Sequence, residues 1–182
     1  MAHPAPDAGG RAAAVSVAVL LLVASVGVAS PGAAAQAATN SPAVEGTPHL
    51  NASAPDARFD PGVTGTLGVS ITNDATVTDD NRTHPPEAIG RATEARSVRV
   101  NVTDTRDAPL SVETGEQSIG TVEDGETSGP HGFEVVVDED APAGTYEVEV
   151  TTRYRHAERV AYEESADGDL RYDETVTTRT ET

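Results

Sequence analysis

Apolar and polar residues alternate along several short runs of the chain. Leu67, Val69 and Ile71 are separated by single small or polar residues. Because the side chains of a strand point alternately to its two faces, this period of two predicts half-buried β-strands with one solvated face. The same period returns in three later runs, at residues 98–102, 133–137 and 146–150.

Turn-forming residues separate these runs. Pro-Gly lies at residues 61–62, Asp-Gly at 124–125 and Pro-Ala-Gly at 142–144, and such residues preset or tolerate turn dihedral angles. Short strands without a long helical period predict an all-β fold. We expect an immunoglobulin-like antiparallel β-sandwich at residues 48–182, after a flexible leader rich in small residues at 38–47, with a closed antiparallel barrel as the alternative.

A hairpin is predicted near the end of the chain. Val160 and Tyr162 precede an Asp-Gly pair at residues 167–168, and Leu170 and Tyr172 follow it. Asp-Gly fits a tight primed turn, in which two residues connect the paired strands.

One connection, at residues 73–95, has no strand pattern. A connection of this length in a compact domain is usually functional or disordered. Pro86 followed by Glu87 could begin a short helix, because Pro suits the first helical position, although Gly90 weakens that prediction. Binding residues concentrate on such loops, so this insertion is either a recognition surface or a solvated acidic segment.

Residues 1–37 have the order of a secretory signal peptide. Arg11 lies in a short polar stretch, an apolar run covers residues 12–29, and small residues then offer cleavage sites at 33–35 or 35–37. The alternative is an uncleaved membrane anchor, because the apolar run approaches the length of a membrane span. Either form predicts an extracellular or cell-surface protein.

The charge balance is strongly acidic. Asp and Glu number 30 against 12 basic residues, all of them Arg, and the net charge is -18. Such a surface lacks the basic footprint that nucleic acid requires. It resembles the surfaces of proteins from extreme halophiles, and we predict that folding needs high salt to screen the repulsion. The chain has no Cys, so its stability must come from a core rather than from disulfides.

Several segments resemble a family of extracellular immunoglobulin-like modules. They are FDPGVTGTLGVSITND from Phe59, SVRVNV from Ser97, the turn IGTVEDGET and the corner PAGTY. The family comprises the CARDB-like and alpha-galactosidase-associated modules of surface-layer-type proteins of halophilic archaea, and the resemblance covers residues 59–154. It implies a sandwich fold and says almost nothing about function, because these modules share no catalytic residues.

The chain departs from that family at two places. The insertion at 73–95 is longer than expected, and the chain ends at Thr182 where similar proteins continue through a closing strand, often to a C-terminal membrane segment. We interpret the sequence as a short secreted form or as a truncated version of a longer protein. A membrane contact is expected only through an uncleaved N-terminal segment or a missing C-terminal anchor.

Metal and catalytic motifs are sparse. Asp138, Glu139 and Asp140 form an acidic cluster in a predicted turn, but the full ligand spacing of a Ca²⁺ loop is missing, so a solvated turn is favoured over a calcium site. His49, His84, His131 and His156 lie singly, without zinc-ligand spacing. No nucleophile elbow is present and no cysteine nucleophile exists. We therefore predict no metal, no cofactor and no enzymatic activity.

Possible glycosylation sites and tyrosines are further candidate functional residues. Three sequons, at Asn51, Asn81 and Asn101, are possible glycan acceptors in an exported chain. Tyr146, which follows the PAGT turn, is similar to a tyrosine corner, a structural role. Three tyrosines could stack on sugar rings if they share an exposed face, but a role as core residues is favoured because the chain has few aromatic residues; they are Tyr154, Tyr162 and Tyr172.

These observations favour a non-catalytic module with a structural or adhesion role in the cell envelope of a halophilic archaeon. The expected partners are cell-envelope components or carbohydrate. The alternative is an accessory module that binds carbohydrate or protein through residues 73–95 or through a tyrosine face. An extracellular hydrolase is a third, weaker hypothesis.

Overall fold

The part of the chain that the structure describes forms two β-sheets and one short helix. The computed structural model describes residues 15–19, 41–55, 57–78, 82–104 and 107–182, with the first of these ranges described for its backbone only. The predicted all-β class is confirmed. The strands are β1 Val15–Val19, β2 Ala43–Thr47, β3 Leu50–Ser53, β4 Arg58–Phe59, β5 Thr64–Asn73, β6 Thr76–Val77, β7 Ala95–Asp104, β8 Leu110–Val112, β9 Gln117–Val122, β10 Thr127–Val137, β11 Thr145–Glu164 and β12 Leu170–Glu181, and the helix is α1 Pro86–Thr93.

Strand β11 organises the larger sheet. It is 20 residues long, and its first part pairs with β7 and, in parallel, with β1, whereas its second part pairs with β12 and β2. Strands β9, β4 and β6 extend this eight-stranded sheet. The smaller sheet has the order β3-β5-β10-β8, and all its pairs are antiparallel.

The two sheets pack across one apolar core. The alternating residues that predicted the strands supply it: Leu67, Val69 and Ile71 are each at most 1 % exposed. The buried residues of β7, β10 and β11 complete the same cluster. Because both sheets contribute to one core, the fold has the layered arrangement of a β-sandwich. The other residues concerned are Val98, Val100, Val102, Phe133, Val135, Val137, Val148, Val150 and Tyr154.

A second, smaller core lies beneath α1. The helix begins at Pro86, as the sequence suggested, and continues through Gly90. Its buried Ala88 and Ala92 pack with Val44 of β2 and with two buried residues of β11. The described residues of the segment 73–95 therefore include β6 and a helix docked on the larger sheet. The two β11 residues are Ala157 and Val160.

The predicted hairpin is formed by β11 and β12, with Tyr162 directly opposite Tyr172. Its connection is longer than the two-residue primed turn expected from Asp-Gly, so that part of the prediction was wrong. Residues 165–169 lie between the strands, and Ser165 donates its backbone N–H to the carbonyl of Asp169 at 2.7 Å. Gly168 alone in this connection has a positive φ, of 87°, whereas a type I′ turn requires two such residues.

The predicted signal peptide and its cleavage sites lie largely outside the described residues. Residues 41–47 of the predicted flexible leader are described, and Ala43–Thr47 form β2 with Val44 buried in the smaller core, so this part of the leader belongs to the fold. Within the described residues, β1 pairs in parallel with residues 145–148 of β11 and antiparallel with β4. Among the helices of the described part of the chain, none has the length and hydrophobicity to cross a membrane.

Candidate binding grooves beside helix α1

The insertion and the tyrosine face meet at the far end of the β11–β12 hairpin. Tyr162 and Tyr172 are neighbours across the hairpin, and both pack against the small core beneath α1 while keeping part of their surface exposed. From the sequence, the insertion and these tyrosines were separate candidates for a binding surface. The fold brings them together because α1 docks on the second half of β11.

A groove on one side of this junction has largely apolar walls. His84 lies with Nδ1 3.0 Å from the hydroxyl oxygen of Tyr162, and the two rings meet edge to face with centroids 5.9 Å apart. The exposed Leu170 closes the far wall, and the exposed Glu163 and Glu164 form an acidic rim. We call this cavity of about 710 Å³ the tyrosine groove; it is lined by Pro42, Thr83, His84, Pro85, Pro86, Tyr162, Glu163, Glu164, Gly168 and Leu170.

A second groove, of about 640 Å³, is lined by residues of α1 together with Arg96, Glu123, Asp124 and Glu174, and it is charged. Arg91 and Arg96 line it, but both are neutralised by acids within contact distance. Glu123 and Asp124 add further negative charge. The groove therefore offers little to an anionic ligand.

Glu174 connects the elements around that charged groove. Its carboxylate accepts from Arg96 of β7 at 2.6 Å and from Arg91 of α1 at 3.0 Å, and its side chain is only 17 % exposed. The hydrogen bond from Arg96, with a further contribution from Arg91, holds the pKa of Glu174 below its ordinary value. This carboxylate thus ties the helix to the sheet.

Tyr172 is held by charged groups of α1. The guanidinium carbon of Arg91 lies 4.5 Å from the centroid of the Tyr172 ring, a cation–π arrangement. The Tyr172 hydroxyl donates to Glu87 at 3.3 Å. Because Arg91 also binds Glu87 at 2.9 Å, the ring face of Tyr172 is occupied by the protein itself. Tyr162 is therefore the better candidate for contact with a ligand.

Tyr154, the third tyrosine considered for sugar stacking, is a core residue with 0 % exposure. Its hydroxyl donates to the carbonyl of Pro48 and lies 2.8 Å from a carboxylate oxygen of Glu181. Burial, together with the charge of Glu181, raises the pKa of Tyr154. It is unavailable to a surface ligand.

The remaining predicted residues lie apart from the grooves. Asn51 is exposed on β3 and Asn101 is partly exposed on β7, whereas Asn81 lies outside the described residues. The Tyr146 hydroxyl donates at 2.7 Å to the carbonyl of Pro142, four residues upstream. The acidic cluster at 138–140 is an exposed turn, and the described residues contain no group of three or more His, Cys, Asp or Glu placed to hold a metal ion.

The burial of two polar residues, His156 and Asn73, was not predicted from the sequence. His156 is 0 % exposed, and neither ring nitrogen has a partner of normal hydrogen-bond geometry among the described residues. Burial, and the nearby charge of Arg179, lower the pKa of His156. Asn73 is also 0 % exposed, but its amide is fully used by backbone groups. Only the alternation of β11 around residue 156 hinted at the burial of this histidine.

No family model, curated protein or solved structure matches the chain.

Proposed function

We propose that this protein is a non-catalytic, secreted or cell-surface adhesion module of the cell envelope of a halophilic archaeon, and that it binds carbohydrate in the tyrosine groove. The immunoglobulin-like assignment, the resemblance to CARDB-like modules and glycosylation at Asn51, Asn81 or Asn101 belong to the same proposal. The observation that carries it is the convergence of His84, Tyr162 and Leu170 in one groove.

The shape and chemistry of the groove support a sugar ligand. An aromatic ring presents a flat apolar face that suits the C–H faces of a pyranose, and Tyr162 keeps part of its surface exposed. The carboxylates of Glu163 and Glu164 are acceptors that can receive hydrogen bonds from sugar hydroxyls. The volume of the groove lies within the range of small-molecule sites.

The acidic rim limits the class of sugar that the groove can bind. Glu163 and Glu164 repel carboxylated or sulfated sugars, a repulsion that the net charge of -18 reinforces. Neutral hexoses and amino sugars with a free ammonium group fit this field. We therefore infer a preference for neutral or cationic glycans.

The sequence supplies the envelope context. The signal-like order of residues 1–37 supports export, and the acidic surface without Lys supports a saline environment. An adhesion module needs a rigid scaffold with a loop-borne site. Helix α1, fixed on the larger sheet through Val44 and Val160, provides such a site.

Calorimetric titration with neutral, amino and acidic oligosaccharides in molar NaCl tests this proposal. Neutral or amino oligosaccharides should bind, and Tyr162→Ala should weaken binding at least tenfold. Tyr162→Phe should retain most of it if the ring face carries the contact. Val63→Ala, an exposed residue outside the groove, is the matched control. Binding that is unchanged in Tyr162→Ala, or absent for every glycan class, would overturn the proposed site.

A further inference from the structure

Strand β12 has an open outer edge. It pairs with β11 over almost its whole length, from Glu181 opposite Thr152 to Leu170 opposite Glu164. Among the described residues no strand pairs with its other edge. An open edge of this length presents a row of backbone N–H and C=O groups, which is a template for another strand unless the side chains prevent pairing.

Strand β12 carries charged side chains, which usually protect an open edge from pairing. Whether they prevent pairing with a second copy depends on the order of positive and negative residues along the strand. In a symmetric antiparallel pair, the two-fold axis is perpendicular to the sheet. Rotation about this axis therefore leaves each side chain on the same face of the sheet in both copies. Residues directly opposite each other must share a face. The axis must therefore pass through a residue paired with its own copy, and only a few registers are available.

One register places each charged residue of β12 opposite either an opposite charge or a neutral residue. With Val176 on the axis, Arg171 lies opposite Glu181 of the second copy and Asp173 lies opposite Arg179 of the second copy. A two-fold repeats both pairs, giving four opposite-charge pairs. Glu174 lies opposite the neutral Thr178.

The neighbouring registers place like charges opposite each other. With Thr175 on the axis, Arg171 faces Arg179 of the second copy, and with Thr177 on the axis, Asp173 faces Glu181. Like charges directly opposite each other destabilise a strand pair. The charge order thus selects the register centred on Val176, a residue that is 39 % exposed although it is apolar.

We propose that this chain forms a two-fold dimer by antiparallel pairing of β12 with β12 of a second copy, centred on Val176. The net charge of -18 on each copy opposes association in dilute buffer. At about 1 M salt the Debye length is roughly 3 Å, which screens the long-range repulsion and leaves the backbone hydrogen bonds between the strands. The dimer therefore forms in molar salt.

Dimerisation has a consequence for adhesion that adds to the proposed function without depending on it. Tyr172, beside the tyrosine groove, lies four residues from the axis, so the two grooves are separated by about eight residues of strand, on the order of 27 Å. Two grooves on one particle allow a surface carrying many glycans to be held with higher avidity. Failure of sugar binding would leave the dimer unaffected, and the two proposals are tested separately.

A single cysteine tests the register, because the chain has no Cys of its own. Opposed residues in an antiparallel pair have Cα atoms about 4.5–5.5 Å apart, within disulfide range. Val176→Cys should therefore form a covalent dimer under mild oxidation in molar salt. The control Thr178→Cys is exposed on the same face, but its copies would be displaced by four residues, about 13 Å, and should remain monomeric. Equal cross-linking of both, or of neither, overturns the register.

Charge exchange tests the same pairing without a covalent bond. Sedimentation in molar salt should find Asp173→Arg and Arg179→Asp each monomeric, because each opposes like charges at two places. An equimolar mixture should form a heterodimer, because both contacts then join opposite charges. Circular dichroism of each variant checks folding, and Asp173→Asn should weaken the dimer less than Asp173→Arg. A monomeric wild type, or a dimer that ignores these changes, overturns the proposal.

Discussion

Asn73 donates a hydrogen bond of 2.9 Å from its side-chain Nδ2 to the carbonyl oxygen of Thr93, the last residue of α1. The same nitrogen donates to Val122 of β9 at 3.1 Å, and Oδ1 accepts from the backbone N–H of His49 at 3.2 Å. One buried amide thus joins the end of β5 to the insertion helix and to both sheets. It fixes where α1 sits, and therefore where the tyrosine groove forms.

We expect Asn73→Asp to lower the free energy of unfolding by about 2–4 kcal/mol, because a buried carboxylate cannot donate to the carbonyls of Thr93 and Val122. The two side chains have nearly the same shape, so packing is unchanged. Chemical denaturation at constant molar salt measures the effect. Asn51→Asp, on the exposed face of β3, is the control and should change stability by less than about 0.5 kcal/mol.

Glu174→Gln should destabilise the protein by about 1–2 kcal/mol at neutral pH, since it weakens charge-assisted hydrogen bonds with Arg91 and Arg96. The folded pKa of Glu174 lies below its ordinary value of 4.5. Its contribution is therefore complete above pH 4.5 and is lost as the pH falls through the folded pKa. Thermal unfolding of the two proteins should differ at pH 7 and converge in acid. A difference that persists at the acid end would contradict this explanation.

His156 should make the protein sensitive to mild acid. Its folded pKa lies below the ordinary value of 6.5, so the unfolded chain binds a proton first as the pH falls. Stability is then complete above pH 6.5 and declines as the pH falls towards the folded pKa. His156→Leu removes both the proton site and two unpaired buried nitrogens, and should flatten the decline between pH 7.5 and 5.5. His131→Leu, at a partly exposed site, should leave it in place.

Two glycines near the helix should respond in opposite directions. A Cβ at Gly46 would lie 2.6 Å from the carbonyl oxygen of Ala92, whereas a Cβ at Gly90 meets nothing within 4 Å. Gly46→Ala should therefore cost about 1–3 kcal/mol by pushing α1 away from β2. Gly90→Ala should add about 0.5–1 kcal/mol by improving helix propensity. Denaturant midpoints compare the pair, and equal shifts of the same sign would contradict the packing described.

Salt should be required for the folded state. The net charge of -18 places many carboxylates within reach of one another, and dilute buffer leaves them unscreened. Circular dichroism should show strand signal in molar NaCl and its loss as the salt is diluted. Potassium chloride at the same ionic strength should work equally well if screening is the cause. A β-sheet spectrum that is unchanged in low salt would refute the prediction.

The sequence by itself determined β5, β7, β10 and the first part of β11, because a period of two depends only on which face of each strand is buried. Leu67, Val69 and Ile71 carried that information locally, and Pro86 marked the start of α1 by its fixed backbone angle. The tertiary structure decided what those elements build. Tyr162 meets His84, 78 residues earlier, and Asn73 meets Thr93 because the helix docks on Val44 and Val160. Such contacts arise from packing between distant elements, which no local period encodes, so the tyrosine groove exists only in the fold.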